Sequence, residues 1–311
     1  MVDDNATLSV IHSTLHNNSV GNSSTALGAA IASQGNGNII VHNSTFTNNT
    51  VIGSKLACCA AICGRSQSMV AVTASRFING TVLTMYGGGG GVGFRDDAVA
   101  TLEDVVLADN NVFGVGMTGG DAVAGGAAIS GPSLCHIELT RCQLLNNLAK
   151  GSGTAGYAGG GGAALRDNAT MTVRDSLIAD NHGAHNDLSS FAAGGGLALL
   201  NDSYCMVYNT TVRNNSVNGY FAFGGGLLAS LRSRLVVVDS LLDANWALSE
   251  VFPHTSAPQR MARLLGMASP HPTMQQCKCC AQPFATTMQY AKHQAWRLEA
   301  VFMQQRMRQL Q

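Results

Sequence analysis

Asp104, Arg141 and Asp175 share one position of a repeating pattern, each standing three residues before a bulky apolar residue: Leu107, Leu144 and Ile178. Two carboxylates flanking a guanidinium on successive repeats are the groups that polysaccharide-cleaving chemistry requires. They can act as acid and base across a glycosidic bond, or hold Ca²⁺ beside a basic residue. The same stack also reads as an ion ladder on a solvated face. These three residues are the best catalytic candidates in the chain. A second column, Asp96, Asp167 and Asn201, stands eleven residues before its apolar partners and reads as Asx corners.

Other chemical motifs are incomplete. The run Gly87–Gly91 lacks the GxxxxGK[ST] pattern and a placed GxGxxG, so no nucleotide-binding loop and no cofactor is expected. Nine cysteines include two clusters, Cys58/Cys59/Cys63 and Cys277/Cys279/Cys280. The second lacks another CxxC or a spaced histidine pair, and no metal site is expected. Cys135 and Cys142 are either bridged across one repeat or buried as free thiols. Ten N-x-[ST] sequons begin at Asn5, Asn17, Asn22, Asn43, Asn48, Asn79, Asn168, Asn201, Asn209 and Asn214. In a secreted chain these are candidate N-glycosylation sites.

The elements that must position these residues repeat eight times. The anchors Leu15, Phe46, Phe77, Leu107, Leu144, Ile178, Val212 and Leu242 are separated by 31, 31, 30, 37, 34, 34 and 30 residues. Asn18, Asn49, Asn110, Asn147, Asn181, Asn215 and Asn245 each follow an anchor by three residues, and Gly80 alone breaks the column. Asparagine tolerates left-handed backbone, and stacked amides can bond along an axis, so this column reads as an internal corner ladder. Glycines keep time with the anchors: Gly91, Gly162, Gly196 and Gly226 precede theirs by 16 residues, Gly28 and Gly126 by 18.

Within each unit the apolar period is two. In MTVRDSLIAD, Met171, Val173 and Ile178 face inward and Arg174 outward, and Val236 and Val238 take the inward places near Leu242. Three short strands, their corners and one variable loop account for each unit. The fold class is therefore an all-β solenoid, a right-handed parallel β-helix of about eight coils spanning roughly 35–40 Å at the strand spacing of a sheet. Loop aromatics Tyr86, Phe113, Tyr157, Phe191, Tyr220 and Phe223 either line a binding face or pack the loops down.

The organisation is a β-helix over 1–250, a Pro- and Cys-containing linker over 251–283 and a basic amphipathic helix over 284–311. Residues 1–250 hold 11 basic and 17 acidic side chains, and 251–311 hold 7 basic and 1 acidic. In the last segment Phe284, Met288, Ala291, Ala295, Leu298 and Phe302 recur at helical spacing. No apolar run reaches the roughly 18 residues of a membrane-spanning helix. The repeats carry no phosphate-binding footprint, so nucleic acid is not an expected partner. Oligomeric state is left open.

GAAI at Gly28, GGAAI at Gly125, GGGAAL at Gly160 and GGGLAL at Gly194 open units. FTNN at Phe46, LLNN at Leu144, IADN at Ile178 and VRNN at Val212 close them. Together these motifs resemble the repeats of chlamydial polymorphic outer membrane proteins over about residues 5–247. That resemblance implies a parallel β-helix of the pectate-lyase-like fold class, an extracellular or cell-surface location, and adhesion to surface or matrix glycans or proteins. The expected function is a non-enzymatic surface scaffold. The alternatives are a polysaccharide lyase or glycoside hydrolase acting on a sheet face, and a fragment of a larger surface protein, since TLSVIHSTLHNN begins already at Thr7.

Overall fold

A computed structural model describes residues 1–115, 123–152, 157–185, 191–249 and the pair 264–265. The predicted linker, apart from that pair, and the predicted helix over 284–311 lie outside the described residues. So do Cys277, Cys279 and Cys280. Among the described residues there is no helix, and no helix long and apolar enough to cross a membrane.

The chain winds as a parallel β-solenoid. Four sheets run along its axis, with eight, eight, fourteen and seven strands. Eight rungs enclose about seven turns. One coil shows the path. Ala163–Arg166 lies in a sheet entered from a glycine corner, Thr170–Arg174 in a sheet of five-residue strands, and Leu177–Ala179 in the sheet that carries the anchors. His182–His185 and Phe191–Ala193 then form two arms of the fourteen-stranded sheet. Five strands per coil replace the three expected from the sequence. In the second coil a continuous strand, Thr50–Cys58, covers the span that later coils divide in two; a single residue separates the halves at Met85 and Tyr220, and longer loops separate them in the coils between. Thr50–Cys58 is the junction, pairing with both Thr81–Thr84 and Tyr86–Gly88.

The anchors stack in register: Leu15 on Phe46, Phe46 on Phe77, and so on to Val212 on Leu242. Phe46 and Phe77 place their ring centroids 4.8 Å apart, the rise of one coil. The six central anchors are fully buried, whereas Leu15 and Leu242 on the terminal coils are only partly covered. Met171, Val173 and Ile178 are buried and Arg174 is exposed. Val236 and Val238 do not face inward: the register aligns Leu235 and Val237 with the buried Cys205 and Val207. Leu235–Val238 are four apolar residues in succession, so alternation gives no phase there.

Buried amides tie the coils together. Asn147 Nδ2 donates to the Leu107 carbonyl at 3.0 Å and to Asn181 Oδ1 at 2.8 Å. Its own Oδ1 accepts from the backbone N–H and Nδ2 of Asn110, both at 3.0 Å. The same pattern continues through Asn181, Asn215 and Asn245, and joins Asn18 to Asn49. At the break, the Gly80 N–H donates to Asn110 Oδ1 at 2.9 Å. A Cβ there would sit 1.9 Å from the Gly90 carbonyl oxygen, so no side chain fits.

A second ladder was not evident in the sequence. Two residues before the anchors, backbone N–H groups donate to hydroxyls of the next coil: Ser13 to Ser44, Ser44 to Ser75, Cys142 to Ser176, Ser176 to Thr210 and Thr210 to Ser240.

The glycine corner is more regular than the sequence reading. Gly28, Cys59, Gly89, Gly126, Gly160, Gly194 and Gly224 all have positive φ, and each lies 18 residues before its anchor. At Gly126 a Cβ would approach the Ile129 carbonyl oxygen to 2.0 Å. Cys59 is the one side chain in this column.

Replacing Asn147 by Ala removes both donors and the acceptor of a fully buried amide. The expected loss is about 2–4 kcal/mol of stability. Asn146→Gly, at an exposed left-handed corner, should change stability by less than about 0.5 kcal/mol. Thermal or denaturant unfolding of the two variants checks the contrast, and equal effects would deny the buried ladder its role. Gly80→Ala should cost about 1–3 kcal/mol by overpacking, read in the same experiment.

Candidate functional site

The corner holding Asp104, Arg141 and Asp175 joins the five-residue strands to the anchor strands. His12, Asn43, Ala74, Asp104, Arg141, Asp175, Asn209 and Asp239 occupy it in successive coils, and all have positive φ between 42° and 56°. Asp, Asn and His tolerate this left-handed backbone better than most side chains. The turn therefore accounts for Asp104 and Asp175 before any chemistry is invoked.

The three candidates do not form one cluster. Arg141 grips Asp104 through two bonds, Nε to Oδ1 at 2.8 Å and Nη2 to Oδ2 at 2.9 Å, and Nη2 also donates to Glu103. Asp175 instead accepts from Asn209 Nδ2, one coil further on, at 2.7 Å. Hydrogen bonding to Arg141 holds the Asp104 carboxyl below its usual pKa and raises that of Arg141. Arg141, Glu103 and Asp104 are about half exposed, so solvent and salt screen the pair.

Carboxylates at the other corners have partners of the same kind. Asn201 Nδ2 donates to Asp167 at 2.9 Å, and Asn146 Nδ2 to Asp109 at 2.6 Å. Arg232 makes two bonds of 2.7 Å with Asp202, and the Asp202 pKa falls because of them. Asp96 pairs with Arg65 at 3.5 Å and with Arg95 at 3.2 Å. A general acid needs its pKa raised, by burial or a neighbouring like charge. Asp104 and Asp202 are shifted the other way.

The sequon asparagines are distinct from the buried ladder. Asn17, Asn48, Asn79 and Asn214 stand at exposed left-handed corners one residue before ladder or ladder-equivalent positions. Asn5, Asn43, Asn168 and Asn209 are also exposed, and Asn201 is half-buried. Asn22 lies within the strand Ser19–Leu27. Cys135 and Cys142 are buried free thiols and are not bridged to each other. Burial pushes them up to about 12 and about 11 respectively.

The predicted loop aromatics divide. Tyr86, Tyr157 and Phe191 share one register column at the base of the loops with Phe221, which was not among those predicted and stacks on Phe191 at 5.2 Å; Tyr220 sits edge-on to Phe221 at 4.7 Å, and Phe223 is exposed. Phe113 lies in the other arm, between Leu83 and Lys150. An aromatic patch that the sequence reading passed over lies on the outer face of the five-residue strands. Tyr204 and Tyr208 are half-buried there, with the Arg174 guanidinium 4.5 Å from the Tyr208 ring centre and Arg234 5.8 Å from that of Tyr204. Alternation places these residues outward, because Cys205 and Val207 are buried between them.

The fold and its corners define a class: a parallel β-solenoid scaffold whose polar corner residues bond from coil to coil. Residues 60–249 match the family model described as right handed beta helix region, and the chain belongs to that family. Comparison with curated proteins and with solved structures gave no match.

Asp104 should titrate below its ordinary 3.8, and Arg141→Gln should bring it back toward that value. Carboxyl NMR titration reads both. The sign for stability follows: the ion pair contributes above the unfolded-state pKa and is lost as the pH falls through the lowered folded-state pKa. An unchanged Asp104 midpoint in the variant would refute the pairing.

Proposed function

We propose that this β-helix is a non-enzymatic scaffold of the cell surface or extracellular space that adheres to surface or matrix glycans or proteins. The observation that carries the reading is the use made of its acidic groups. Asp104, Asp109, Asp167, Asp175 and Asp202 each bond to an amide or guanidinium of an adjacent coil. Lyase chemistry needs a basic group free to take a proton, and Arg141 is already bonded to Asp104 and Glu103. The likeness of the GGA/GGG and FxNN-type repeats to chlamydial polymorphic outer membrane proteins supports surface adhesion. The exposed sequons fit a secreted chain.

The adhesive face in this reading is the outer surface around Tyr204 and Tyr208. Aromatic rings with arginine neighbours supply large contact area and polar bonding together, which binding surfaces favour. Purified protein should bind members of a panel of immobilised acidic and neutral polysaccharides and matrix proteins, releasing no shortened or unsaturated sugar. A Tyr204→Ala/Tyr208→Ala double variant should bind at least about tenfold more weakly, a loss of about 1.4 kcal/mol. Release of product sugars that stops in Arg141→Gln would replace this reading with the polysaccharide lyase or hydrolase.

A further inference from the structure

Three sulfurs meet in the third coil, outside the corner column. Cys58 ends the strand Thr50–Cys58, Cys59 turns the glycine corner and Cys63 lies in the strand Ile62–Arg65. Their sulfur atoms all lie within 4.8 Å of one another, and all three residues are buried. They form a cluster of their own, packed by Leu27 and Ala32. Cys58 and Cys59 are joined by a disulfide, and the Cys63 thiol lies 3.9 Å from Cys58 Sγ.

The neighbouring coil leaves space for this cluster. Gly93 is the register partner of Cys63. A Cβ on Gly93 would come within 2.6 Å of Cys59 Sγ and 2.8 Å of Cys58 Sγ. Other coils carry a side chain at that position: Ala32, Ser130, Ala164, Ala198 and Leu228. Cys59, in turn, supplies a side chain where the other six coils have glycine. Two departures from the repeat thus coincide in space, one adding sulfur and the other making room for it.

We propose that the cluster is a thiol–disulfide exchange site, in which Cys58 bonds alternately to Cys59 and to Cys63. The Cys63 thiolate attacks Cys58 Sγ. The Cys58–Cys63 bond forms, the Cys58–Cys59 bond breaks, and Cys59 leaves with the electron pair and takes up the proton that Cys63 released. The exchange is redox-neutral and needs no added oxidant. The two pairings differ mechanically. Cys58–Cys59 joins adjacent residues, whereas Cys58–Cys63 staples the end of one strand to the next strand across the corner. Burial raises the Cys63 thiol to about 12, Arg65 and Arg95 pull it down, and Asp96 adds to the rise. Attack requires the thiolate, so exchange is slow at neutral pH and acid traps both pairings.

The test uses the full chain, purified without reductant, held at mildly alkaline pH, quenched in acid, unfolded and labelled with a maleimide. Trypsin cleaves after Lys55 and Arg65 and releases Leu56–Arg65 with all three cysteines. The expected peptide carries one label, found on Cys63 in some molecules and on Cys59 in others. Cys59→Gly, incubated with oxidised glutathione as the two-electron oxidant, should show complete loss of label with no glutathione adduct, because Cys58 and Cys63 then pair. Cys63→Ala should also lose it, through Cys58–Cys59. Both substitutions copy residues that other coils carry at these positions, such as Gly28 and Ala32. Label confined to Cys63 in the parent, with two labels in Cys59→Gly, overturns the proposal. Three labels in the parent overturn it too, by showing three thiols.

Discussion

A parallel stack makes each residue answer to the residues one turn above and below it, at the spacing of neighbouring strands. For apolar side chains this is a mild constraint. Leucine, isoleucine, valine and phenylalanine all fill the anchor column, because burial rewards area rather than shape alone. For a buried polar group it is severe. The amide of Asn147 is fully buried, and the adjacent coils satisfy it only because Asn110 and Asn181 present the complementary atoms at the same height. Each amide serves as both donor and acceptor, so the column extends without leaving an orphan. The fold depends on this ladder more than on any single apolar contact.

The corners obey a different rule. Turning the chain at the same place in every coil requires left-handed backbone, which Asp and Asn adopt at lower cost than most residues. Once an Asp column exists, like charges about one coil apart repel. The chain answers by interleaving amides and guanidinium groups: Arg141 after Asp104, Asn209 after Asp175, Arg232 after Asp202. Arg141 is not a natural left-handed residue, and its bidentate bond to Asp104 offsets that local cost. Acidic residues in register in a β-helix are thus expected from geometry alone. Catalysis would require some additional feature, such as a desolvated carboxyl, and the carboxyls of Asp104 and Asp202 are shifted the opposite way.

The sequence revealed those parts of the fold where one side-chain type recurs. Anchors and ladder asparagines could be read directly, and so could the break at Gly80, although the intruding carbonyl of Gly90 could not. The hydroxyl ladder was hidden because Ser, Thr, Val and Cys share its column, and backbone donors make half of each bond. The glycine corner was blurred by its own abundance: in a run such as Gly87–Gly91, any of five residues could be the one with positive φ. Strand phase failed at Leu235–Val238, where no polar residue marks the outside. Asp104 and Arg141 were correctly placed on adjacent coils. The capture of Asp175 by Asn209 depends on side-chain reach, which spacing does not encode.

A repeat also makes its own exceptions informative. In an ordinary domain a buried cysteine is unremarkable packing, and Cys135, Cys142 and Cys205 fit that description. Cys59 differs because its column states what the position requires. The glycines there avoid collision with a carbonyl of the same corner, as Gly126 does with Ile129. Cys59 carries a side chain there nonetheless, and the absence of a side chain at Gly93 leaves room for its sulfur and that of Cys58. A lone substitution would leave a clash, and a lone glycine would leave a void. Their coincidence around three sulfurs therefore speaks for a local arrangement of the third and fourth coils, separate from the ladders that hold the solenoid together.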